Sequence, residues 1–335
     1  VGDADFARRS LPLPPSSPAF WQRSLLPSLS LSLSLFWPAA AVWMSSPGEP
    51  PLKRPRADGG PTAVTGSKLR VGLVGLGAIG SYVAEVLHEG RELPRARLAA
   101  ALVQRPREER PAYCSEEVLL TADVEAFFAA DWDVCVEVAG QPWLRDHSRR
   151  VLKAGRSLLV TSVGAFTDDT LREELIALAE RFGGRLLIAA GAMPGLDWMS
   201  SAALEDVEEI TLEQRKRPEG WVGTPAEAKF DLASLKEPTT IFEGVARQAA
   251  TQFPKNANIA ATLALGTVGL DRLMVRLVAD PSISGPMSRI KLRGKAGEID
   301  IEVRGAALSQ RTSRIVPLSV VKALRNMSAP CVIGV

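Results

Sequence analysis

An apolar segment that runs directly into three closely spaced glycines most constrains what this chain can fold into. Leu69–Val74 reads as a buried strand, and Gly75, Gly77 and Gly80 follow it at once. One glycine permits a tight turn, the second lets the backbone approach a pyrophosphate, and the third lets the next helix pack on the strand. The first amides of that helix bind the phosphates of a nicotinamide or flavin cofactor. The predicted cofactor contacts are Gly75, Gly77, Ala78, Ile79 and Gly80.

From residue 68 onward, segments with the period of strands alternate with segments with the period of helices. Predicted strands cover 69–74, 96–103, 133–139, 157–163 and 185–190, and predicted helices cover 78–89, 141–154 and 167–182. Such alternation builds a parallel sheet with helices on both faces. We therefore predict an α/β fold whose first domain, residues 68–195, is a Rossmann-type doubly wound parallel sheet that binds NAD(P).

After Gly191 the pattern changes to longer alternating segments, such as 209–214 and 291–303. These predict a second α+β domain on a more open sheet, residues 196–314, for substrate binding and oligomerisation. Residues 318–327 have the pattern of an amphipathic helix. We expect the C-terminal segment 315–335 to pack back on the first domain.

The composition is that of a globular chain, with 46% hydrophobic residues among 335, enough for two domains. The 40 basic and 38 acidic residues leave a net charge of +2, which argues against a nucleic acid or a membrane as partner. Cys114, Cys135 and Cys331 are scattered and lack metal-ligand spacing. They fit a reducing compartment, and we expect a cytoplasmic protein without a metal site.

Residues 1–67 are rich in Leu, Ser and Pro and lack the pattern of a folded domain. Residues 25–43 are apolar enough to imitate a signal peptide, with Arg8, Arg9 and Arg23 upstream. The alternative that we prefer is that residues 1–43 precede the mature protein, which then starts at Met44. We predict a low-complexity segment that is disordered or is not part of the mature protein.

The residues after the second predicted strand bear on the choice between NAD and NADP. An acidic side chain there would bind the ribose 2′-hydroxyl of NAD and repel a 2′-phosphate. The chain instead has Val103, Gln104 and Arg105, and both Arg105 and Arg107 could pair with a phosphate. These arginines could equally lie in a solvated loop, so the sequence permits either NAD or NADP.

Several short segments beyond the glycine turn occur in an order that is typical of one family. They are Ser162-Val-Gly-Ala165, Gly191-Ala-Met-Pro-Gly-Leu-Asp197, Arg215-Lys-Arg-Pro218, Phe242-Glu-Gly-Val-Ala246, Phe253-Pro-Lys-Asn-Ala-Asn-Ile-Ala260, Gly269-Leu-Asp271 and Ala279-Asp-Pro281. With these segments the chain resembles the L-aspartate dehydrogenases, including their animal relatives. The resemblance covers residues 68–335.

The resemblance implies a reaction in which hydride passes from Cα of aspartate to a nicotinamide. The imine is then released as iminoaspartate or hydrolysed to oxaloacetate and ammonia. The resemblance also implies a homo-oligomer, at least a homodimer. Such chemistry requires cations that bind two carboxylates and a group that moves protons near neutral pH. The candidate substrate-binding residues are Lys216, Lys255 and Thr312, with Arg215 as a further cation, and the residues implied to border the cofactor are Asn258, Asn256 and Ala192.

The chain departs from the family where a catalytic histidine is expected. The family has an Asn-x-His-x-Ile stretch shortly after an Asp-Pro dipeptide, and here the stretch reads Pro286-Met-Ser-Arg-Ile290. The histidine position falls on Ser288, or on Met287 if the alignment shifts by one, and neither side chain titrates near pH 7. The two histidines of the chain, His88 and His147, fall on predicted helices that are expected to face solvent. The catalytic residue is therefore not identified.

Three functions are compatible with this sequence. The first is an NAD(P)-dependent L-aspartate dehydrogenase with altered proton transfer. The second is a related oxidoreductase for another amino or hydroxy acid, in which residues 284–290 carry the new specificity. The third is a cofactor-binding protein without turnover. Substrate-dependent formation of NAD(P)H separates the first two from the third, and a panel of substrates separates the first two from each other.

Overall fold

The computed structural model describes residues 67–254, 257–309 and 312–334, which form two large sheets and one short hairpin. The predicted low-complexity segment 1–67 lies outside these residues apart from Ser67, as do Lys255 and Asn256. None of the helices within these ranges combines the length and the apolar composition needed to cross a bilayer.

The first sheet is parallel throughout. Its strands and helices are β1 (Leu69–Val74), α1 (Ala78–Glu89), β2 (Ala96–Leu102), β3 (Leu119–Thr121), α2 (Val124–Ala129), β4 (Val134–Glu137), α3 (Gln141–Lys153), β5 (Ser157–Val160), α4 (Asp169–Phe182) and β6 (Leu186–Ile188). The strand order β3-β2-β1-β4-β5-β6 confirms the predicted doubly wound sheet. Because the order reverses between β1 and β4, a crevice forms at the carboxyl ends of these strands.

Local signals set the ends of the helices around this sheet. α4 begins where Asp168 Oδ1 accepts the Leu171 N–H (3.1 Å), and it ends at Gly183, whose φ is +73°. α1 ends in the same way at Gly90, with a φ of +69°. A side-chain cap at the start and a left-handed glycine at the end satisfy backbone groups that the helix itself leaves unpaired.

The second sheet is mixed. The elements that follow β6 are α5 (Leu196–Ala202), β7 (Val207–Lys216), β8 (Thr239–Val245), α6 (Ala246–Gln252), α7 (Ala257–Gly266), β9 (Met274–Ala279), β10 (Met287–Gly294), β11 (Gly297–Arg304), β12 (Ala307–Ser309), β13 (Thr312–Ser313) and α8 (Ile315–Ser328). The order is β11-β10-β7-β9-β8, in which β7 and β9 are parallel and the other neighbours antiparallel. The prediction of a second, more open sheet is confirmed. β12 and β13 form the separate hairpin.

The two faces of the second sheet differ in composition. The face that we call the inner face buries apolar side chains of three strands, namely Ile210, Leu212, Val275, Leu277, Ile290 and Leu292. The opposite, outer face carries charges that pair across strands, such as Arg289 with Asp300 (2.8 Å) and Arg276 with Glu243 (3.2 Å). Apolar side chains of the inner face join a core that continues into the helices of the first sheet.

The last helix returns to the first sheet. α8 buries Val320, Val321 and Leu324 in a cluster with β1, α1 and β2. Where the chain leaves the first sheet, the Gly191 N–H donates to Ser319 Oγ of α8 (3.1 Å). The chain therefore crosses to the second sheet near residue 191 and crosses back at α8.

Candidate active site

Three glycines with different roles shape the turn between β1 and α1. Gly75 has a φ of +96°, a conformation that favours glycine, and a Cβ there would lie 3.0 Å from the Val138 carbonyl oxygen. At Gly80 a Cβ would lie 1.9 Å from the Gly75 carbonyl oxygen, so α1 can approach the turn only because residue 80 lacks a side chain. At Gly77 no atom lies within 4 Å of the Cβ position. The turn is therefore closely packed at Gly75 and Gly80 and open at Gly77.

The N-terminus of α1 opens into this space. Gly77 caps the helix without a side-chain hydrogen bond, and the first turn contains no acidic residue. Ala78 is exposed and Ile79 is half-buried, so the side chains beside the first amides are small or apolar. Uncapped amides and the helix dipole favour an anion at this position. The turn thus fits the pyrophosphate of a dinucleotide.

The segment that follows β2 lies beside the glycine turn. The Arg107 guanidinium donates to the Leu76 carbonyl oxygen (2.6 Å), and Ser81 Oγ donates to the same oxygen (3.1 Å). Tyr113 OH donates to Ser81 Oγ (2.9 Å). Arg107 therefore supports the turn itself, whereas the Arg105 side chain is exposed just after β2.

A buried carboxylate joins the carboxyl ends of β4 and β5. Glu137 Oε1 accepts the Gly140 N–H (2.8 Å) and the Ser162 hydroxyl (2.7 Å), and Oε2 accepts the Ser162 N–H (3.1 Å). Burial raises the pKa of Glu137, although these hydrogen bonds oppose the shift. Glu137 thus holds two loops at the crevice. Glu137 belongs to no motif of the sequence, and its signal is one carboxylate at the end of an otherwise apolar strand.

Helices α6 and α7 dock on the carboxyl edge of the first sheet. The Gly164 N–H, which follows β5, donates to Asn258 Oδ1 near the start of α7 (2.9 Å). The Arg247 guanidinium of α6 donates to the Thr167 carbonyl oxygen (2.8 Å). Asn258 therefore lies at the junction of the two sheets, with its amide oxygen engaged by backbone. Ala192 is half-buried in the connection from β6 to α5.

Lys216 is the last residue of β7 and follows the inner-face alternation of that strand. Its ammonium lies 5.1 Å from the centroid of the Trp221 ring, and burial lowers its pKa to about 8. Trp221 packs edge-on against Phe253, with ring centroids 6.0 Å apart. A cation in such apolar surroundings is suited to bind a carboxylate, because little water competes for either charge. Lys255 follows Phe253 by two residues and lies outside the described part of the chain.

Ser288, on β10, shares the inner face and the same end of the sheet. The register pairs it with Gln214 of β7 on one side and with Val303 of β11 on the other. Because Gln214 stands two residues before Lys216, the three polar residues form a group on one face. Gln214, like Glu137, belongs to no motif that the sequence displays.

Thr312 is half-buried in the hairpin of β12 and β13. Gly305, where the chain enters this hairpin, donates its N–H to the Pro286 carbonyl oxygen just before β10 (3.0 Å). The structure therefore places Thr312 at the same end of the second sheet as Lys216 and Ser288.

Other candidate residues lie elsewhere. Arg215 follows the outer-face alternation of β7, and its guanidinium pairs with Asp280 (3.1 Å). His147 of α3 packs on the Trp143 ring, with centroids 5.2 Å apart, and His88 lies exposed in the last turn of α1. Both histidines belong to helices that cover the first sheet. The structure separates these three side chains from the group around Lys216.

Comparison with protein families divides the chain at the same crossover. Residues 75–189 match the model described as homoserine dehydrogenase, NAD binding domain. Residues 197–327 match the model described as aspartate dehydrogenase, C-terminal. The first range contains the glycine turn and Glu137, and the second contains the inner-face group.

Individual relatives agree with these matches. The L-aspartate dehydrogenase of Ralstonia pickettii is 37% identical over 262 residues, which cover 77% of this chain and 97% of that protein. L-aspartate dehydrogenase 2 of Bordetella bronchiseptica is 38% identical and covers 79% of this chain and 99% of its own length. The crystal structure of aspartate dehydrogenase from Thermotoga maritima has the same fold, with a TM-score of 0.63, 24% identity and coverage of 79% and 99%. The chain belongs to the aspartate dehydrogenase family.

Proposed function

We propose that this chain is an NAD(P)-dependent L-aspartate dehydrogenase. The observation that carries the proposal is the docking of α6 and α7 on the carboxyl edge of the first sheet, where the open glycine turn lies. This contact joins a site for a dinucleotide to a sheet whose inner face ends in a half-buried cation, Lys216. The names of the relatives support aspartate as the substrate.

Each part of the chain has a distinct task in this reaction. NAD or NADP, when bound, accepts the hydride that leaves Cα of the substrate. The glycine turn and the N-terminus of α1 hold the pyrophosphate, and Asn258 and Ala192 border the cofactor farther along the crevice. Lys216, Lys255 and Thr312 bind the two carboxylates of aspartate. Fixing both carboxylates orients Cα, which supplies the positional part of catalysis. The product is iminoaspartate, which hydrolyses to oxaloacetate and ammonia.

Arg105 bears on the choice of cofactor. Arg107 already donates to the Leu76 carbonyl oxygen, whereas Arg105 is exposed at the end of β2 with no acidic residue at that position. A guanidinium there attracts a 2′-phosphate through charge-assisted hydrogen bonds. We therefore propose that the chain accepts NADP as well as NAD.

The serine at position 288 is expected to limit the rate of turnover. The reaction requires removal of a proton from the substrate ammonium, and a serine hydroxyl does not titrate near pH 7 as an imidazole does. A positioned general base contributes about 10²-fold to 10⁴-fold. We expect slow turnover in this chain, with water as the proton acceptor. The presence of serine in place of the family's histidine also favours the second candidate function, a cofactor-binding protein without turnover.

The test is an assay at 340 nm with the full chain, aspartate and either NAD or NADP, with omission of aspartate as control. Ser288→His is compared with the parent, and we expect kcat to increase at least about tenfold. Lys216→Met should raise the KM for aspartate, and Lys229→Met, at an exposed position, should not. Cofactor binding without aspartate turnover in both the parent and Ser288→His would contradict the proposal.

We also propose a cytoplasmic homo-oligomer. The support for the compartment is that Cys114, Cys135 and Cys331 are all free thiols, which a reducing environment preserves. The support for association is the resemblance to the family. Light scattering on the purified chain tests association, and a monomer at micromolar concentration would contradict it.

A further inference from the structure

The inner face of the second sheet contains one polar side chain that its surroundings do not explain. Gln214 is 5% exposed, and its Oε1 has no hydrogen-bond partner in the described part of the chain. Its neighbours on this face include Leu212 on the same strand and Leu277 on β9. A buried amide oxygen without a partner is unfavourable, and native proteins rarely contain one without a ligand or a water to satisfy it.

In the strand order of the second sheet, Gln214 of β7 lies between an aromatic group on the β8 side and an apolar contact on the β11 side. On one side Trp221 and Phe242 both pack edge-on against Phe253, with centroids 6.0 and 5.6 Å away. On the other side the connection from β6 approaches β11, where the Cβ position of Gly195 lies 2.7 Å from Ile301 Cδ1. β7 and β10, which lie between these two groups, carry Lys216, Gln214 and Ser288 on the inner face.

The spacing on β7 matches a small amino acid. Residues i and i+2 on one strand face lie about 6.5 Å apart, so Lys216 and Gln214 can contact opposite ends of a short ligand. Lys216 provides a cation for a carboxylate, and Gln214 Oε1 provides an acceptor. Of the groups on aspartate, only the α-ammonium donates hydrogen bonds. Ser288, opposite Gln214 in the register, adds a hydroxyl that can accept a second N–H from the same group.

We propose that Gln214, with Ser288 beside it, binds the α-amino group of the substrate and thereby selects the amino acid over the unsubstituted dicarboxylate. The proposal rests on the proposed function, because it assigns the amino-group contact of that same site. In this proposal Gln214 and Ser288 together determine substrate specificity, and Ser288 occupies the position at which the family has a histidine. Gln214 is a binding residue here and transfers no proton.

The test uses aspartate and succinate, which differ only in the amino group. Gln214→Met keeps the length of the side chain and removes the acceptor. It should raise the KM for aspartate about tenfold or more and leave the inhibition constant of succinate within about twofold. Thr211→Val, on the outer face of the same strand, should change neither constant. A purely structural effect of Gln214→Met would shift both ligands together.

A second variant should change the selectivity for aspartate over succinate in the opposite direction. This test remains valid if the first variant fails to fold. Gln214→Glu adds a charge that attracts the ammonium of aspartate and repels the carboxylates of succinate, so the selectivity for aspartate over succinate should rise. An unchanged KM for aspartate in Gln214→Met, or equal shifts for both ligands, would overturn the proposal while the parent still turns aspartate over. If the parent neither turns over nor binds aspartate by calorimetry, the proposed function itself fails and this inference fails with it.

Discussion

The cofactor end and the substrate end of this protein are built in contrasting ways. At the cofactor end, six consecutive residues from Gly75 to Gly80 form the turn, and the groups that we propose to bind the pyrophosphate are backbone amides. At the proposed substrate end, Lys216, Gln214 and Ser288 come from two strands that the chain order separates by about 70 residues, and only the register brings them together. A backbone site tolerates few changes in its few residues. A site made of side chains can change its specificity through single substitutions, and this is the role that we propose for Ser288.

The largest expected effect is the loss of cofactor binding when a side chain is added within the glycine turn. Gly80→Ala places a Cβ 1.9 Å from the Gly75 carbonyl oxygen, and the resulting overlap costs about 3 kcal/mol and displaces the turn. The affinity for NADH should fall about hundredfold, and Tm should fall as well. Fluorescence titration and thermal unfolding measure the two effects.

Gly77→Ala is the matched control for this prediction. The Cβ position of Gly77 has no neighbour within 4 Å, so Tm should remain unchanged while the added methyl group obstructs the cofactor. Equal losses of Tm in both variants would mean that Gly77 shapes the fold and is not a contact for the ligand.

The next effect is a loss of stability, which we expect because the loops beside the glycine turn depend on the side chain of Glu137. Glu137→Ala removes the acceptor of the Gly140 N–H and of the Ser162 N–H and hydroxyl. Leaving these buried donors unpaired should lower the free energy of unfolding by about 3 kcal/mol. Urea unfolding measures it, with the exposed Glu180→Ala as control. A loss below about 1 kcal/mol would mean that water replaces the carboxylate.

The pH dependence of Glu137 has a definite sign. Burial raises its folded-state pKa above the ordinary value of 4.5, so the folded protein keeps the proton to higher pH than the unfolded chain. The contribution of this group to stability is therefore present below pH 4.5 and declines as pH rises through the folded pKa. The parent should lose stability relative to Glu137→Gln over this interval. The opposite trend would show that the hydrogen bonds outweigh the burial.

A smaller effect is the pH dependence of substrate binding that the lowered pKa of Lys216 predicts. The pKa of Lys216 is lowered to about 8 from 10.5, so the folded protein loses this charge at a pH where the unfolded chain retains it. The KM for aspartate should rise about tenfold per pH unit above 8, and stability should rise over the same interval. Lys216→Arg should keep KM constant up to pH 9. An identical profile in both proteins would assign the titration to another group.

The smallest expected effect concerns the exposed rim of the cofactor end. Arg105→Ala should weaken NADP binding about threefold to fivefold, as is typical of exposed charge pairs, and leave NAD binding unchanged. Arg95→Ala, exposed just before β2, is the control. Equal changes for both cofactors would exclude a contact between Arg105 and the 2′-phosphate.

The sequence predicts the first sheet well because its signals are local. The strand before Gly75, the cap at Asp168 and the glycine at residue 183 each act within a few residues of the chain. β3 escapes prediction because its three residues at the sheet edge are too few to display a period. Glu137 is visible as a charge in a buried strand, but its partners at Gly140 and Ser162 depend on the pairing of β4 with β5.

The substrate end escapes prediction for a related reason. Alternation in β7 can place Gln214 and Lys216 on one face, yet it does not tell which strand lies beside them. β10 is the fourth strand of the second sheet in chain order, and it pairs with the first, β7. The meeting of Ser288 with Gln214 is therefore a property of the topology, and a resemblance alone could assign position 288 but not its neighbour.

The burial of α8 has a consequence for the order of events during synthesis. The first sheet is complete in sequence once Ile188 has been made, but Val320, Val321 and Leu324, which cover its α1 side, emerge more than 130 residues later. Until then a ribosome-bound chain exposes apolar surface on β2 and α1. Contacts of such long sequence separation slow folding and lengthen the period in which partly folded chains can aggregate. The nascent chain is thus expected to depend on chaperones until α8 has been released.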